Sequence, residues 1–305
     1  MGSVTPYIHY EGVIFHFLKG LVREFKLSEK SFAEVIQVSQ DEAKAILRGT
    51  RSITIAQFMQ LSRTFKFSVD AVSRGLCDMR TLVEHQSGNL QYLSERYSKG
   101  AFSKKFNAIN VFNSIALIRG PTFANFVQEY VNAGDNIYRD PNGLINVQFF
   151  CDIFDLLKRY GVSDQEFVDM GKRSVDTAMR SNFGGVLCLE KSPKNLFRLY
   201  FDEVIRDLEK NNRYKIIKID SDHCIVDSLE TEEVCDLFSV KHIGSKERCA
   251  YRLGGIEAAT RFIGFSDCKV TETRCSFDGH SSCRFHISYA NSARISRGHT
   301  NELLC

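Results

Sequence analysis

Tryptophan is absent from the 305 residues. No apolar run approaches the ~18 positions of a membrane-crossing helix, because charges interrupt each one. The opening Met1-Gly-Ser-Val-Thr-Pro6 has no basic stretch leading into an apolar core, so no secretory leader is expected. Both features predict a cytoplasmic chain with no membrane partner. Its ten Cys are then expected as thiols or metal ligands rather than disulfides. Catalytic fingerprints are missing too. The chain has no Gly-x-x-x-x-Gly-Lys-Ser/Thr phosphate loop, no nucleophile elbow and no His-Glu-x-x-His helix, and the expectation is that it is not an enzyme. No internal repeat or low-complexity tract is visible.

What is present suits about two globular domains. Apolar residues make up 43% and charged residues 25%, enough for real cores. Twenty-four Phe and eleven Tyr are mostly core material. The net charge of +3 is unevenly placed. Residues 1–80 hold 11 Lys/Arg against 8 Asp/Glu, which leaves 29 of each for the rest. That slight basic bias permits nucleic-acid contact without demanding it.

The periodicity changes along the chain. Residues 1–77 predict five short helices. The first carries Ile8, Val13, Ile14, Phe17, Leu18, Leu21, Val22 and Phe25 on one face. Ser28 starts the second, and Ser39 caps a third that Gly49 ends. Ile55, Phe58, Leu61 and Phe65 share a face of the fourth, and Ser68 begins the fifth. Residues 78–110 read as a helical linker. Residues 111–211 are mostly helical, with a Gly184-Gly185 interruption and an amphipathic helix from Lys194 to Lys210. Then the period becomes two. Tyr214–Ile219 and His223–Leu229 predict one hairpin, and Lys269–Cys275 and Ser282–Tyr289 predict a second around Asp278-Gly279. Residues 248–263 read as a helix between them. The tail, 290–305, is polar and expected to be flexible.

Two constellations carry chemistry. The first is Phe32-Ala33-Glu-Val-Ile-Gln-Val38-Ser39-Gln-Asp-Glu-Ala43-Lys-Ala-Ile46-Leu-Arg-Gly49. It resembles the DNA-binding core of the phage-repressor-like helix-turn-helix family over about residues 10–76. The resemblance implies a recognition helix in the major groove, with Ser39, Gln40, Lys44, Arg48 and Arg51 toward DNA. Gln reads adenine, and Lys or Arg meets phosphate or guanine. Asp41 and Glu42 lie in the same first turn. They favour the helix N-terminus but oppose phosphate, which leaves open a protein-docking role for the same helices.

The second is Cys249, Glu272, Cys275 and Cys283. Cross-strand Cβ atoms lie ~5 Å apart, so Cys275 and Cys283 can meet across the second hairpin. Cys249 at a helix start and Glu272 on the incoming strand complete four ligands. Three sulfurs and a carboxylate suit zinc. A buried Cys trio or a redox pair is the plainer alternative, and Cys268, His280 and His286 compete as ligands. The odd spacing of Glu272 and Cys275 puts them on opposite faces of a flat strand, so a bulge or twist is needed.

The stretch Cys249-Ala-Tyr-Arg-Leu-Gly254-Gly-Ile, with Glu272-x-x-Cys275, Gly279 and Cys283, resembles the 4-vinyl reductase sensor domain of phenol- and xylene-responsive activators. The match is sharp over about residues 214–288 and looser back to 115. It implies an α+β chain whose all-α head precedes an α/β sandwich over 111–289, related to the haem-nitric-oxide-binding fold. It also implies a closed structural zinc site, a homodimer and a small hydrophobic or aromatic effector. The chain lacks the Trp that phenol sensors use. It also lacks their ATP-hydrolysing module and the Tyr-x-Ser-x-Arg haem signature, so no haem is expected. Phe197, Tyr200 and Phe201 are the candidate ligand-binding residues, with plain core packing as the alternative. The expected function is a ligand-responsive, DNA-binding transcription regulator, and the alternative is a dimeric interaction adaptor.

Overall fold

The computed structural model describes residues 10–89, 92–132, 136–179 and 181–294. Ile8 and positions 295–305 of the expected tail lie outside them. The chain divides into two units. Residues up to Ser94, with Asn125–Arg139, make one; Glu95–Ala124, with Asp140 onward, make the other. No helix among the described residues is long and apolar enough to cross a membrane.

The N-terminal unit is helical. Its elements up to Ser94 are α1 (Tyr10–Glu24), α2 (Glu29–Ile36), α3 (Gln40–Leu47), α4 (Ile55–Phe65), α5 (Val69–Ser73) and α6 (Met79–Gln86). Ser28, Ser39, Thr54 and Ser68 each accept a hydrogen bond from a backbone N–H of the first turn they precede, satisfying donors the helix leaves open. Phe17, Leu21, Phe32, Ile46, Phe58 and Leu61 close one core. Ile55 departs from expectation: it is 68% exposed. As the first residue of α4 it lies at the open end of the helix, before the face that Phe58, Leu61 and Phe65 bury.

The expected 78–110 linker is not one element. Glu95 onward belongs with the C-terminal unit. Helix α7 (Glu95–Ser98) is fixed there by a two-bond fork from Arg96 to Asp152 at 2.6 and 2.7 Å and by the buried Tyr97 hydroxyl, 2.9 Å from the same carboxylate. Strand β1 (Ser103–Lys104) then pairs antiparallel with β2 (Leu144–Ile145).

Helices α8 (Lys105–Arg119), α9 (Pro121–Val131), α10 (Asn136–Arg139), α11 (Val147–Arg159), α12 (Asp164–Ala178), α13 (Asn182–Leu187) and α14 (Pro193–Leu199) follow. The Gly184-Gly185 pair lies inside α13 rather than interrupting structure. A π-helical turn at Tyr200–Val204 joins α14 to α15 (Ile205–Leu208). Strands β3 (Asn212–Ile219) and β4 (His223–Glu230) form the first hairpin, and α16 (Glu232–Phe238) and α17 (Lys246–Ala258) come next. Strands β5 (Lys269–Arg274) and β6 (Cys283–Ser288) form the second hairpin. The sheet is antiparallel throughout, in the order β3-β4-β6-β5. Alternation along β6 buries Cys283, Phe285 and Ile287 and turns His286 and Ser288 outward. The buried face meets Leu196, Phe197, Phe201 and Ile256 from the helices. This is an α+β arrangement, with helices segregated to one face of an antiparallel sheet.

Helices α12 and α17 pack at glycines. A Cβ on Gly171 would overlap the carbonyl oxygen of Tyr251, and one on Gly254 that of Val168. Backbone touches backbone here, which fixes where α17 places its side chains.

Candidate functional site

Helix α17 carries two sites on two sides. Ser245 caps it, so Cys249 falls in its first turn. Cys283 opens β6, opposite Ser228 of β4, and Cys275 follows β5. The parity conflict on β5 is resolved by a bulge: Glu272 pairs with Phe285 and Arg274 with Arg284, leaving Thr273 as the extra residue. An extra residue turns the strand by one side-chain position, so Glu272 and Cys275 face the same way.

Ligating atoms of Cys249, Glu272, Cys275 and Cys283 all lie within 4.8 Å of one another. The Cys249 and Cys283 sulfurs are 3.8 Å apart and those of Cys283 and Cys275 4.0 Å. A disulfide needs about 2.05 Å. A tetrahedral site with metal–sulfur bonds of about 2.3 Å places its sulfurs about 3.8 Å apart. The Glu272 Oε1 is buried without a hydrogen-bond partner, an arrangement that costs free energy unless a cation meets it. Ser276 supports the cluster, with its N–H 3.4 Å and its hydroxyl 3.5 Å from the Cys283 sulfur.

The four acids titrate apart. Hydrogen bonding from the Cys249 thiol, then from Ser276, draws Cys283 down to about 4. The same thiol draws Cys275 down to about 7. Cys249, as the donor, is raised. Burial, then the neighbouring thiolates, pushes Glu272 up to about 9. The competing ligands stay out of the cluster. His280 and His286 are exposed, and the Cys268 thiol donates to the carbonyls of Ile256 and Glu257.

The other side of α17 faces a cavity of about 120 Å³ inside the C-terminal unit. Phe150, Phe154, Val175, Ala178 and Phe262 supply apolar wall, and Asn110, Tyr200, Arg248, Tyr251 and Arg252 supply polar atoms. Arg248 pairs with Glu209. Burial, then the charge of Arg252, lowers its guanidinium to about 10, so it stays cationic at neutral pH. Arg252 donates to Ser228 Oγ at 3.0 Å and Asn212 Oδ1 at 2.9 Å. Burial raises the Tyr200 and Tyr251 hydroxyls to about 12, which keeps them protonated. Asn110 is buried and its Oδ1 has no partner.

Of the three ligand residues expected from sequence, Tyr200 lines this cavity. Phe197 and Phe201 do not; they stack on each other, 5.9 Å between centroids, within the core against the sheet. They point inward because the apolar face of the helix covers the sheet. Sequence reasoning missed Asn110, Arg248 and Arg252. A signal did exist in α17: two arginines four apart, in a segment whose paired glycines indicate close packing.

In the N-terminal unit, α2 ends at Gln37 in the left-handed region (φ 57°), and the Ser39 side chain accepts from Glu42 N–H at 3.2 Å. Gly49 ends the next turn at φ 74°, where a Cβ would press on the Phe15 ring. Gln40 and Arg48 are exposed. Lys44 lies 3.6 Å from Glu29 and Arg51 2.7 Å from Glu42. Thus two of the expected DNA-facing cations sit beside acids of their own unit. A further acidic group, Asp220, Asp222 and His223, occupies the β3–β4 turn, where His223 and Lys218 already pair with the carboxylates.

No protein-family model matches the chain, and no curated protein matches it. Solved structures of similar shape exist. One is the Fe(II) unliganded H-NOX protein from K. algicida, 9% identical, covering 64% of this chain and 100% of its own, with a TM-score of 0.45. Another is an oxygen-binding H-NOX domain related to soluble guanylate cyclases, in its oxygen complex. It is 14% identical and covers 65% of this chain and 99% of its own, with a TM-score of 0.42. A third is described as modulating haem redox potential through porphyrin distortion, 15% identical, covering 61% and 99%, with a TM-score of 0.42.

The expectation of structural zinc is corrected by these comparisons. The family resemblance that implied it finds no matching family or relative, and the similar solved structures are described by haem and iron instead. Zinc is therefore not assigned to this chain. Haem does not fit the cavity either. Among the described residues no His, Cys or Met lines it, and those with Tyr are the usual axial ligands. Its tyrosines are held protonated. An engineered cavity of about 150 Å³ takes one benzene, so 120 Å³ has no room for four pyrroles. What the cavity offers is a space of about one ring beside the buried Asn110 Oδ1, which has no hydrogen-bond partner.

Proposed function

We propose that this chain is a ligand-responsive DNA-binding regulator, acting as a homodimer. Its C-terminal unit takes a small, largely apolar molecule of about one ring that carries a hydrogen-bond donor. Its N-terminal unit presents α3 to DNA. The observation that carries the reading is the cavity whose buried Asn110 Oδ1 has no partner. A buried acceptor without a donor costs about 1–3 kcal/mol, and a bound donor removes that cost. The cluster of Cys249, Glu272, Cys275 and Cys283 is read as a metal site that ties the second hairpin to α17.

The ligand half is tested with aniline and toluene as probes, followed by calorimetry on the whole protein. Aniline is expected to bind more tightly than toluene. Asn110→Leu is expected to erase that preference, about tenfold, while leaving thermal stability equal or higher. Stability should not fall, because the unsatisfied acceptor goes with the side chain. Equal binding of both probes by the parent would remove the role given to Asn110.

The DNA half is tested by enriching sheared genomic DNA on the protein and sequencing what is retained. The parent is expected to enrich a few sites, with binding that falls steeply as salt rises. Lys44→Glu with Arg48→Glu is expected to lose them. The neighbouring Glu29 and Glu42 do not preclude this, because exposed ion pairs are worth about 0–1 kcal/mol and exchange readily for phosphate. Those same pairs favour the second reading, an adaptor whose helices dock a protein. Absence of enrichment at low salt, with or without probe, would favour the adaptor.

A further inference from the structure

A second, larger space lies beside the cavity in the C-terminal unit, a cleft of about 460 Å³. Two residues line both spaces, Phe183 and Leu208. The Phe183 ring touches one ring of each. It meets Phe262, of the inner cavity, at 6.3 Å and 62°, and Phe106, of the outer cleft, at 5.5 Å and 84°. Both are edge-on contacts of the kind aromatic rings favour. The support beneath it is firm. Ser181 caps α13 by accepting from Gly184 N–H, and a Cβ on Gly184 would overlap the Ala178 carbonyl.

We propose that Phe183, together with Leu208, is a partition that sets ligand size: it confines the ligand to one ring and closes the cavity to molecules with an alkyl tail. The proposal rests on the reading of the cavity as the ligand site. With the partition in place, a tail on a ring in the inner space is kept out of the outer cleft. With the Phe183 ring removed, the two spaces join, and a tail extends from the inner ring into the outer cleft.

The test uses the full chain and three probes of one headgroup: aniline, 4-butylaniline and 4-hexylaniline. Calorimetry on the parent is expected to give affinity that falls with tail length. Phe183→Ala is expected to weaken aniline, which loses one wall of its space, and to raise the ratio of 4-hexylaniline to aniline affinity by roughly tenfold or more over the parent. Phe183→Leu, which keeps a bulky wall, is expected to behave like the parent. Leu208→Ala opens the same wall from α15 and gives the same gain if Phe183→Ala proves unfolded by circular dichroism. Parent protein that binds 4-hexylaniline as tightly as aniline overturns the partition, as does a folded opened variant that gains nothing. Failure of the parent and both opened variants to bind any of the three probes overturns the cavity reading itself, a different result from either of these.

Discussion

Replacing Cys283 by Ser is expected to release the metal ion proposed at the Cys249, Glu272, Cys275 and Cys283 cluster and to lower the melting temperature of the C-terminal unit by roughly 10 °C. Losing a bound metal ranks among the few single changes that cost about 4 kcal/mol or more. Cys283 is the sharpest test because of where it sits. It starts β6, a strand hydrogen-bonded on both sides to β4 and β5, and its sulfur lies between those of Cys249 and Cys275. Without an ion, the buried Glu272 Oε1 keeps no partner, and the second hairpin is tied to α17 only by packing and the exposed Lys246–Asp278 ion pair. Elemental analysis of the purified parent, counted per chain, checks the claim and names the ion. Cys268→Ser serves as the control, because that thiol is occupied by α17 carbonyls, and it is expected to leave metal content unchanged. A parent that carries no metal after purification and takes up none from cobalt, iron or cadmium salts would leave the four side chains as a buried acid cluster.

Much of this cluster is legible in the sequence, because it rests on local rules. Turn residues at Asp278-Gly279 position the hairpin, and the spacing of Cys275 and Cys283 follows from it. The parity clash of Glu272 with Cys275 even calls for the bulge that lies at Thr273. The cavity is legible only in part. Tyr200 is found, yet Phe197 and Phe201 are drawn in wrongly, since helical spacing cannot tell which apolar residues face a space and which face a sheet. Asn110 is one of three Asn on α8, with Asn107 and Asn113, and its meaning appears only when α12 and α17 close around it. The same limit misplaces the linker. Tyr97 and Ser103 belong to the C-terminal unit through Asp152 and Ile145, more than forty positions downstream, and no local pattern announces such pairing.

Gly254 and Gly255 look interchangeable in the sequence, but their replacement by Ala is expected to have opposite effects. At Gly254 the added Cβ would overlap the Val168 carbonyl of α12. Overpacking usually costs about 1–3 kcal/mol because side chains shift aside. A backbone carbonyl inside a helix has no such freedom, so Gly254→Ala is expected above that range, and Gly254→Val is expected to leave the C-terminal unit unfolded. At Gly255 the new Cβ would find nothing nearer than the Gly171 carbonyl at 3.8 Å and Ser174 Oγ at 4.0 Å. There the helical preference for Ala over Gly, about 1 kcal/mol, is unopposed, and Gly255→Ala is expected to stabilise by up to that amount. Urea titration of the three proteins decides the matter; a Gly254→Ala midpoint equal to that of the parent would mean that the helices do not touch as described. The consequence reaches function. The close approach of α12 and α17 sets the depth of Arg248, Tyr251 and Arg252 in the cavity and, on the other side of the same helix, the position of Cys249. Any substitution that pushes the two helices apart is therefore expected to weaken probe binding and metal retention together, whereas Asn110→Leu touches only the first and Cys283→Ser acts first on the second.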